Sequence, residues 1–468
     1  MTATANQLRQ RAEACGQGQI FAHWDQLSET SRGQLLGQVD ALDFEFIAEL
    51  GVLLTRSASE AAPSTFEPPE LFPLARDAAC ERRALEARGV GTEIMAAGEV
   101  GFVLVAGGQA SRLGYDGPKG AFPVGPVSRR TLFDFHARRI RAARERHGVS
   151  MPWYIMTSPA NDAVTRAFFV ENDYFGLPAE DVTFFSQEML PALDLEGRIL
   201  MAAKDALFLA PNGHGGVLAA LASSGCLAAA RERGVKRLSY FQVDNPLVRP
   251  ADELFLGLHA LAGARMSSKV VAKRDPGEKV GVIGRADGTL GCIEYSDLPE
   301  DLRQARDADG RLLFGAGNIA VHIIDTDFVE ELTRDGLNLG WHVARKNMQV
   351  VNAAGESAET AGAKFEAFVF DALAKSPESV TLEVARSEEF SPVKNAEGED
   401  SPASARRDLC TLFSAWASEA GLDLPAPDSA GIEVVEVDPL LAESAAAFCE
   451  VAPEAPHASE LGHLYDAP

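Results

Sequence analysis

The pattern of apolar and polar positions changes near residue 97. Before that point, segments 7–15 and 43–54 carry apolar residues at helical spacing, and both predict helices. A Pro-rich stretch from Pro63 to Pro73 predicts a linker or an extended arm. Segment 70–89 also has a helical pattern, and we expect Gly89 to be its C-cap. Residues 1–96 are therefore predicted to form a helical N-terminal region.

From Val100 onward, strand and helix patterns alternate. Residues 102–106 form a short continuous apolar run that ends at a glycine pair, which is typical of a strand buried on both faces of a parallel sheet. A helix is predicted over Thr131–His147, with Thr131 and Asp134 in capping-box spacing and Gly148 as the stop. Further strands are predicted at 153–158, 182–187 and 237–245, and further helices after Pro159 and over 216–233. This alternation predicts an α/β fold with a mostly parallel sheet.

Strand patterns lie closer together after residue 265. Segments 269–274, 280–285, 289–296 and 317–324 predict a β-rich insertion that covers one end of the sheet. Beyond residue 400 the sequence predicts one helix (404–421), one strand (431–437) and a polar, frayed tail from Pro453. The chain is thus divided into regions 1–96, 97–400 and 401–468.

Charge and cysteine content narrow the functional classes. With 43 Lys+Arg against 68 Asp+Glu, the formal charge is −25, which argues against a nucleic-acid partner but leaves small anionic substrates open. The six cysteines are scattered without a C-x-x-C pair, so we expect reduced thiols. No apolar stretch resembles a signal peptide or a membrane span, and the expected location is the cytoplasm. The arginine-rich segment 138–146 is interpreted as a solvated face or a subunit contact.

The segment 104–120 carries the strongest chemical signal. Gly107 and Gly108 would let backbone N–H groups approach an anion, and Arg112 and Lys119 could neutralise phosphate oxygens. The segment matches neither the Walker A loop nor the dinucleotide G-x-G-x-x-G pattern. The alternative is a tight strand-to-helix turn with solvated charges.

Three further positions carry weaker signals. Asp244 ends an apolar strand, where a carboxylate could hold Mg²⁺ against phosphate oxygens, or could simply form a turn before Pro246. Gly213 lies in a second glycine-rich loop, 211–216, which is either a ligand loop or a plain turn. The amide of Gln187 could read the imide edge of uracil, although a glutamine after a strand is commonly a surface residue.

The run G-G-Q-x-x-R-L-G-x-x-x-P-K at 107–119 resembles the signature of the UDP-sugar pyrophosphorylases. Among these it is most similar to the eukaryotic-type UDP-N-acetylhexosamine pyrophosphorylases. Further segments recur in the family's order over residues 100–400, including FFSQEMLPA, VGVIGR, FEAFVFD and EEFSPVKNA. The resemblance implies a Rossmann-like, GT-A-like nucleotidyltransferase sheet, with region 97–400 as the catalytic domain.

The resemblance also implies roles for particular residues. The catalytic and phosphate-contacting positions would be Arg112, Lys119, Asp244 and Lys394, with Asp244 as the Mg²⁺ ligand. The nucleotide-binding positions would be Ala106, Gly107, Gly108, Gln187 and Gly213. The sugar-binding positions would be His214, Gly281, Glu294, Tyr295, Asn318, Phe368 and Phe370. From the residues alone, the two phenylalanines could equally be core residues and Lys394 a surface lysine.

Two positions depart from the N-acetylhexosamine branch. His214 stands where that branch carries Asn, and a G-H-G core resembles the UDP-glucose and broad-specificity UDP-sugar enzymes. Ala110-Ser111 replaces a usual Gly-Thr, which keeps the hydroxyl and stiffens the loop. The first departure leaves glucose 1-phosphate, or several sugar phosphates, as alternative substrates.

The predicted reaction joins UTP and a sugar 1-phosphate, with N-acetylglucosamine 1-phosphate favoured, into a UDP-sugar and pyrophosphate. The second pKa of a phosphate monoester is about 6, so the attacking oxygen needs no strong general base. We expect direct displacement at the α-phosphate, with Mg²⁺ as cofactor and charge neutralisation as the main requirement. The alternative from another class is a non-catalytic UDP-sugar-binding protein. In both cases we expect neither a nucleic acid nor a membrane as a partner.

Overall fold

The structure is a computed structural model that describes residues 4–55, 63, 65–451 and 456–467. Its contacts divide the chain into two compact units. The first unit contains Met1–Ser64, Gln187–Gly216 and Leu337–Asp371, and the second contains Thr65–Ser186, Val217–Gly336 and Ala372–Pro468. The division of the sequence into regions 1–96, 97–400 and 401–468 stays a prediction.

The described residues form helices and strands that we number in chain order. The helices are α1 Ala5–Ala14, α2 Glu29–Asp40, α3 Phe44–Thr55, α4 Ala78–Ala96, α5 Leu132–His147, α6 Asp162–Glu171, α7 Gly216–Ser223, α8 Cys226–Glu232, α9 Glu253–Leu261, α10 Glu300–Gln304, α11 Thr326–Thr333, α12 Arg386–Glu389, α13 Pro402–Glu419 and α14 Ala445–Val451. The strands are β1 Phe66–Glu67, β2 Leu71–Phe72, β3 Val100–Val105, β4 Trp153–Thr157, β5 Val182–Ser186, β6 Met189–Pro191, β7 Leu193–Asp194, β8 Met201–Ala203, β9 Ala206–Leu207, β10 Leu209–Pro211, β11 Arg237–Gln242, β12 Met266–Ala272, β13 Val282–Ala286, β14 Thr289–Ile293, β15 Ala316–Asp325, β16 His342–Val351, β17 Ser357–Glu366, β18 Thr381–Glu383, β19 Val435–Val437, β20 His457–Ser459 and β21 Gly462–Tyr465.

The first unit combines helices α1–α3 with an antiparallel sheet of order β16-β17-β7. Helix α1 begins at Thr4, whose side chain forms a capping box with Gln7. The apolar faces of the three helices bury Leu8, Leu35 and Ile47 in one cluster with residues of the sheet. The helices predicted at 7–15 and 43–54 are therefore confirmed.

The second unit is built on a sheet whose main path runs β2-β18-β12-β15-β11-β3-β4-β5. Each neighbouring pair is parallel, except that β15 runs antiparallel to both β11 and β12. Strand β3 lies between β11 and β4, and its continuous apolar run is buried on both faces, as a strand covered by helices requires. The predicted α/β fold with a mostly parallel sheet is confirmed.

Helix α5 has the termini that the sequence predicts. The Thr131 hydroxyl accepts a hydrogen bond from the Asp134 backbone N–H, and Gly148 ends the helix in the left-handed conformation with φ 66°. The expectation for its arginines is wrong, however. Arg138 pairs with Asp438 and Arg144 with Asp181, so these guanidinium groups bind carboxylates of the same unit rather than forming a solvated face or a subunit contact.

Helix α4 passes through Gly89, so the predicted C-cap is wrong. The helix continues to Ala96 because its next turns cross α9 closely. A Cβ atom at Gly91 would overlap the Glu253 carbonyl oxygen, and one at Gly257 would overlap the Ala87 carbonyl oxygen. The glycines therefore permit backbone contact between two buried helices instead of ending one of them.

Two other predicted elements are corrected. The helix predicted over 216–233 is divided into α7 and α8, because Gly225 adopts φ 81° between them. Strands β12 and β15 do not belong to an insertion over the end of the sheet but lie within it, since β12 is buried along almost its whole length and can be accommodated only between neighbours. The hairpin β13–β14, together with β1 paired to β13, extends away from the main path.

The C-terminal segment is more ordered than predicted. The predicted frayed tail begins at Pro453, within residues 452–455, which lie outside the described residues. Beyond them, β21 pairs with β19 and β20 pairs with β21 in a three-stranded sheet. Fraying is wrong for this part because Tyr465 is buried against the core. The predicted Pro-rich arm, of which residue 64 is not described, contributes β1 and β2 to the large sheet. Within the described ranges, no helix is long and apolar enough to cross a membrane.

Candidate functional site

The glycine loop of the second unit begins where β3 ends. It is closed by two backbone hydrogen bonds, from Ala110 N to Gly117 O at 3.0 Å and from Lys119 N to Gly108 O at 3.1 Å. Gly117 has φ 154°, a conformation that side chains rarely adopt, so the turn before Pro118 requires glycine there. The loop is therefore a fixed structure that returns Lys119 to the end of the strand from which it started.

Two polar residues that the sequence reasoning missed fasten this loop. Asn161, 1% exposed, donates from Nδ2 to the carbonyl oxygens of Ala106 at 2.9 Å and of Gly108 at 3.3 Å. The Ser158 hydroxyl donates to Gly107 O at 2.8 Å. Ala106, Gly107 and Gly108 are all held through their carbonyl groups, and the N–H groups of Gly107 and Gly108 form no hydrogen bond with other described residues, so these two remain for a ligand. The available signal was the polar sequence T-S-P-A-N directly after the buried strand β4.

Lys119 and Asp244 meet at the carboxyl edge of the sheet. The Lys119 Nζ atom lies 3.3 Å from Asp244 Oδ2, and both side chains are largely buried. Asp244 follows β11, whose extension is fixed to β3 by a hydrogen bond from Val243 N to Val105 O at 3.1 Å. The structure thus brings together two predicted residues that are separated by more than a hundred positions in sequence.

A buried histidine supports this strand end. His136 Nε2 donates to Val243 O at 3.1 Å, and the ring contacts Phe241 edge-on. Burial lowers the pKa of His136 to about 4, so the ring is neutral at physiological pH. His136 was not singled out in the sequence, because a lone histidine on an apolar helix face carries no specific signal.

The segment that carries Lys394 is joined to the same strand end. Val393 N donates to Asp244 O at 2.8 Å, which places Lys394 one residue beyond Asp244's backbone partner. The exposed Lys394 ammonium lies 5.6 Å from the centre of the Phe390 ring. Arg112 is exposed and forms no ion pair or hydrogen bond with any other described residue. Three basic side chains are therefore carried by the loop and by segments attached to it.

Asp244 is the predicted metal ligand, and its surroundings fit a weakly protein-bound Mg²⁺. Among the residues that the structure describes, no group of three or more His, Cys, Asp or Glu side chains could hold a metal ion by itself. Mg²⁺ commonly binds through one or two carboxylates together with substrate phosphates and water. A single, largely buried carboxylate beside an anion loop fits that mode of binding, and it does not fit a site made by protein ligands alone.

Three predicted sugar contacts gather at one end of the β13–β14 hairpin. Val282 pairs with both Ile293 and Gly317, so the neighbouring residues Gly281, Glu294 and Asn318 come together. Asn318 N donates to Gly281 O at 2.9 Å, and a Cβ atom at Gly281 would lie 3.6 Å from Glu294 Oε1. Tyr295 follows Glu294 and is exposed. The cluster offers amide and carboxylate groups that can bind hydroxyl groups.

In the first unit, Gln187 is held against the second glycine loop. Its Nε2 atom donates to Gly213 O at 2.9 Å and lies 3.4 Å from Asn212 Oδ1. Gly213 has φ 82°, and a Cβ atom there would overlap the Ala367 carbonyl oxygen. Gln187 is therefore not the surface residue that its position after a strand also allowed, since it is buried and its amide group is oriented by the loop.

His214 stacks in a column of rings in the first unit. Its ring lies 5.2 Å from Phe368 and 5.3 Å from Phe370, and the ring of His342, which the sequence reasoning missed, stacks on Phe368 at 4.3 Å. His342 Nε2 is in turn 2.8 Å from Asp371 Oδ2. The structure thus brings together three of the predicted sugar-binding residues, His214, Phe368 and Phe370.

The hydrogen bonds of His214 define its tautomer. The Val369 backbone N–H donates to His214 Nδ1 at 3.2 Å, and a backbone N–H can only donate. Nδ1 must therefore carry a lone pair, so the neutral ring bears its proton on Nε2. Burial, assisted by the nearby His342, lowers the pKa of His214 to about 4, which is consistent with this neutral form.

A central strand, an anchored glycine loop with basic residues and a carboxylate on the adjacent strand define a protein of the nucleotidyltransferase class. Comparison with known proteins gives the family. A family model described as UTP–glucose-1-phosphate uridylyltransferase matches residues 53–414. The chain belongs to this family, which confirms the family and the enzyme class predicted from the glycine loop. The family uses a divalent metal ion.

Individual relatives cover almost the whole chain. A UDP-N-acetylhexosamine pyrophosphorylase-like protein 1 of Xenopus tropicalis is 37% identical over 96% of this chain and 92% of its own length. UDP-N-acetylglucosamine diphosphorylase 2 of Arabidopsis thaliana is 35% identical over 100% and 94%. The crystal structure of a uridine diphosphate N-acetylglucosamine pyrophosphorylase from Trypanosoma brucei is similar at TM-score 0.80 and 28% identity, with 97% of each chain covered.

Proposed function

We propose that the chain transfers a uridylyl group from UTP to N-acetylglucosamine 1-phosphate and releases pyrophosphate. The observation that carries this proposal is the Lys119–Asp244 pair, at 3.3 Å, beside a loop whose carbonyl groups are already bonded within the protein. The reaction joins two polyanions, so its main requirement is alignment and neutralisation of phosphate charge. The pair and the loop offer both.

The glycine loop and the three basic residues would act on different phosphate groups in the proposed reaction. The Gly107 and Gly108 N–H groups would bind phosphate oxygens, and Lys119 and Arg112 would neutralise the charge that develops on the departing pyrophosphate. Lys394 would contact the phosphate of the sugar substrate. That phosphate is ionised at neutral pH and attacks the α-phosphorus directly, so no protein base removes a proton. The bond between the α-phosphorus and the oxygen that bridges to the β-phosphate breaks as the new O–P bond forms, and that oxygen leaves with pyrophosphate.

Asp244 would hold the metal ion, which we propose is Mg²⁺. When bound, Mg²⁺ supplies positive charge to the phosphate oxygens of the nucleotide. Asp244 lies 3.3 Å from the Lys119 ammonium, so the carboxylate can also orient the lysine towards phosphate. The catalytic region 97–400 and the cytoplasmic location are parts of the same proposal, and all six cysteines being thiols rather than disulfides is consistent with that location.

The preference for an N-acetylated sugar is supported by the tautomer of His214. An asparagine side chain, which the N-acetylhexosamine branch carries at this position, offers an N–H donor. The His214 ring also offers a donor, because Val369 holds Nδ1 as an acceptor and leaves the proton on Nε2. We assign this N–H to the acetamido oxygen of the sugar, with Phe368 and Phe370 beside its methyl group. The replacement of Asn by His then preserves the hydrogen bond rather than changing the substrate.

A panel of sugar 1-phosphates tests the proposed substrate. Pyrophosphate release with UTP is measured for N-acetylglucosamine, glucose and galactose 1-phosphates with the wild type, His214→Asn and His214→Leu. Losing one hydrogen bond in a desolvated pocket costs about 1.4 kcal/mol, so His214→Leu is expected to lower kcat/KM about tenfold for the N-acetyl sugar alone. His214→Asn is expected to stay close to the wild type.

The control is His457→Leu, which removes an exposed histidine in β20. Its kcat/KM is expected to equal that of the wild type for every sugar 1-phosphate in the panel. A wild-type preference for glucose 1-phosphate would replace the N-acetyl assignment by the glucose alternative. Equal losses of kcat/KM for all three sugar 1-phosphates in His214→Leu would show that His214 acts on the fold and not on the acetamido group.

A further inference from the structure

A cavity of about 330 Å³ lies in the second unit, beside the end of β12 and the start of β15. Its wall includes Pro68, Pro69 and Leu71 on one side and the segment Arg306–Leu313 on another. None of the site residues described above lines it. The volume is at the lower end of the range for small-molecule sites, which suits a compact ligand.

Four basic side chains line this cavity, namely Lys273, Arg274, Arg306 and Arg311, against two carboxylates. Two of the arginines are neutralised by carboxylates of the same unit, since Arg274 pairs with Glu399 at 2.6 Å and Arg311 pairs with Glu383. Arg306 donates to the Gly310 carbonyl oxygen at 2.7 Å and has no carboxylate partner among the described residues. The cavity therefore has positive charge that the protein does not balance.

The two carboxylates are already engaged. Glu383 binds Arg311 through Oε1 and accepts from Leu74 N through Oε2 at 3.1 Å. Asp307 Oδ1 accepts from the backbone N–H groups of Asp309 and Arg311, at 3.0 and 2.9 Å. Neither carboxylate is paired with Lys273 or Arg306, so both cations remain available to an external anion.

Lys273 is the residue that most requires an anion. Its backbone N–H donates to Gly315 O at 2.9 Å, and its stem lies beside Gly317, so the side chain is fixed at the cavity. The half-buried ammonium makes no ion pair or hydrogen bond within the part of the chain that the structure describes. Burial lowers the pKa of Lys273, opposed by Glu278 and Asp275 at longer range. Placing a partly desolvated ammonium without a partner costs free energy that a bound anion would recover.

The cavity is separate from the glycine loop. Strand β12 lies two positions from β11 in the sheet, with β15 between them, and runs in the same direction as β11. Since neighbouring strands are about 4.8 Å apart, Lys273 and Asp244 end up about 10 Å apart along the same carboxyl edge. The two residues therefore lie at separate positions along that edge.

We propose that this cavity is a second anion site, which binds a phosphate or pyrophosphate group through Lys273 and Arg306. An ammonium and a guanidinium fork that line the same cavity suit the tetrahedral charge distribution of phosphate. The group has two possible sources, which share this chemistry: free pyrophosphate or phosphate, or the phosphate of the sugar substrate. The site does not depend on the proposed sugar preference, because it is defined by charge alone.

The test is calorimetric titration of the full-length protein with inorganic pyrophosphate, without Mg²⁺ and at low salt. Lys273→Gln and Arg306→Gln are each expected to weaken one binding component about tenfold, since a hydrogen bond to a charged group is worth about 1.5–3 kcal/mol. Lys279→Gln is the matched control, because it removes an exposed lysine six positions away and outside the cavity. Lys273→Arg is expected to retain binding.

Further arms separate the sources and the two sites. Saturating N-acetylglucosamine 1-phosphate displaces this component if the substrate's phosphate is the occupant, and leaves it unchanged if free pyrophosphate is. Lys119→Gln, which alters the glycine loop, is expected to leave this binding component intact. The second anion site can therefore be confirmed or refuted independently of the proposed reaction. If Lys273→Gln does not fold, Arg306→Gln decides. Pyrophosphate binding by both glutamine variants equal to that of Lys279→Gln would overturn the proposal.

Discussion

Asn161→Ala tests whether the glycine loop is held in place by the end of the neighbouring strand. The side chain donates to Ala106 O at 2.9 Å and to Gly108 O at 3.3 Å, and its Oδ1 atom accepts from Ser158 N at 2.8 Å. A typical hydrogen bond contributes about 1 kcal/mol, and the longest of the three counts for less, so their removal is expected to cost about 2.5 kcal/mol. The cost falls on the loop, because its carbonyl groups lose their partners.

The assay combines a thermal unfolding midpoint with steady-state pyrophosphate release. Asn161→Ala is expected to lower the unfolding midpoint by several degrees. It is also expected to lower kcat/KM for UTP at least about tenfold, because each loss of about 1.4 kcal/mol from the bound conformation of the loop makes that conformation tenfold less populated relative to others. Asn172→Ala is the matched control, because Asn172 lies at the other end of the same helix and makes one exposed hydrogen bond to Phe168 O. Wild-type kinetics in Asn161→Ala, despite reduced stability, would refute the claim that this residue positions the loop.

Two further perturbations test the packing of the second unit. Gly91→Val is expected to lower the free energy of unfolding by about 3 kcal/mol or more, because the new side chain overlaps the Glu253 backbone; thermal or urea unfolding measures this loss. Gly89→Ala in the same helix is the control. Its methyl group meets open space, so its effect on stability is expected to be neutral or slightly stabilising. His136 has its pKa lowered to about 4, so on acidification from pH 7 the unfolded state binds a proton near its ordinary pKa of about 6.5 while the folded state does not. This group is therefore expected to lower the free energy of unfolding by about 2 kcal/mol between pH 7 and pH 5. In His136→Gln, stability is expected to decrease less over the same range, by that amount. An identical pH dependence in the variant and the wild type would contradict the assignment.

The elements predicted well from sequence are those whose signals are local. Helix α5 shows this, because Thr131 caps it through a side chain three residues from the bonded N–H and Gly148 ends it with a positive φ. Strand β3 shows the same, since only a strand buried on both faces carries an unbroken apolar run that ends in two glycines. These features depend on neighbouring residues alone.

The predictions that failed concern contacts between distant segments. Gly89 has the pattern of a helix end, but α4 continues because Gly91 and Gly257 allow two helices to touch, and neither glycine reveals its partner in the sequence. Likewise, the order of strands in the sheet places β15 between β11 and β12, and closely spaced strand patterns carry no information on that order.

The candidate site was predicted in part for the same reason. Motifs identified Lys119, Asp244 and His214, but not Asn161, which fastens the loop, nor His342, which stacks on Phe368. Single polar residues such as these acquire their roles only when the fold brings their partners to them. The charge of −25 is a related case, because it describes the whole chain and not the locally positive cavity around Lys273.

The most direct measurement of the central claim is pyrophosphate release from UTP and N-acetylglucosamine 1-phosphate in the presence of Mg²⁺, with Asp244→Asn and the exposed-residue control Asp301→Asn. The wild type and the control are each expected to form one molecule of pyrophosphate for every molecule of UDP-N-acetylglucosamine. Asp244→Asn is expected to lower kcat by about 100-fold or more at unchanged thermal stability, because it removes the carboxylate that we propose holds the metal ion. A wild type that binds UDP-sugar but releases no pyrophosphate, or an Asp244→Asn variant with wild-type kcat, would contradict the account.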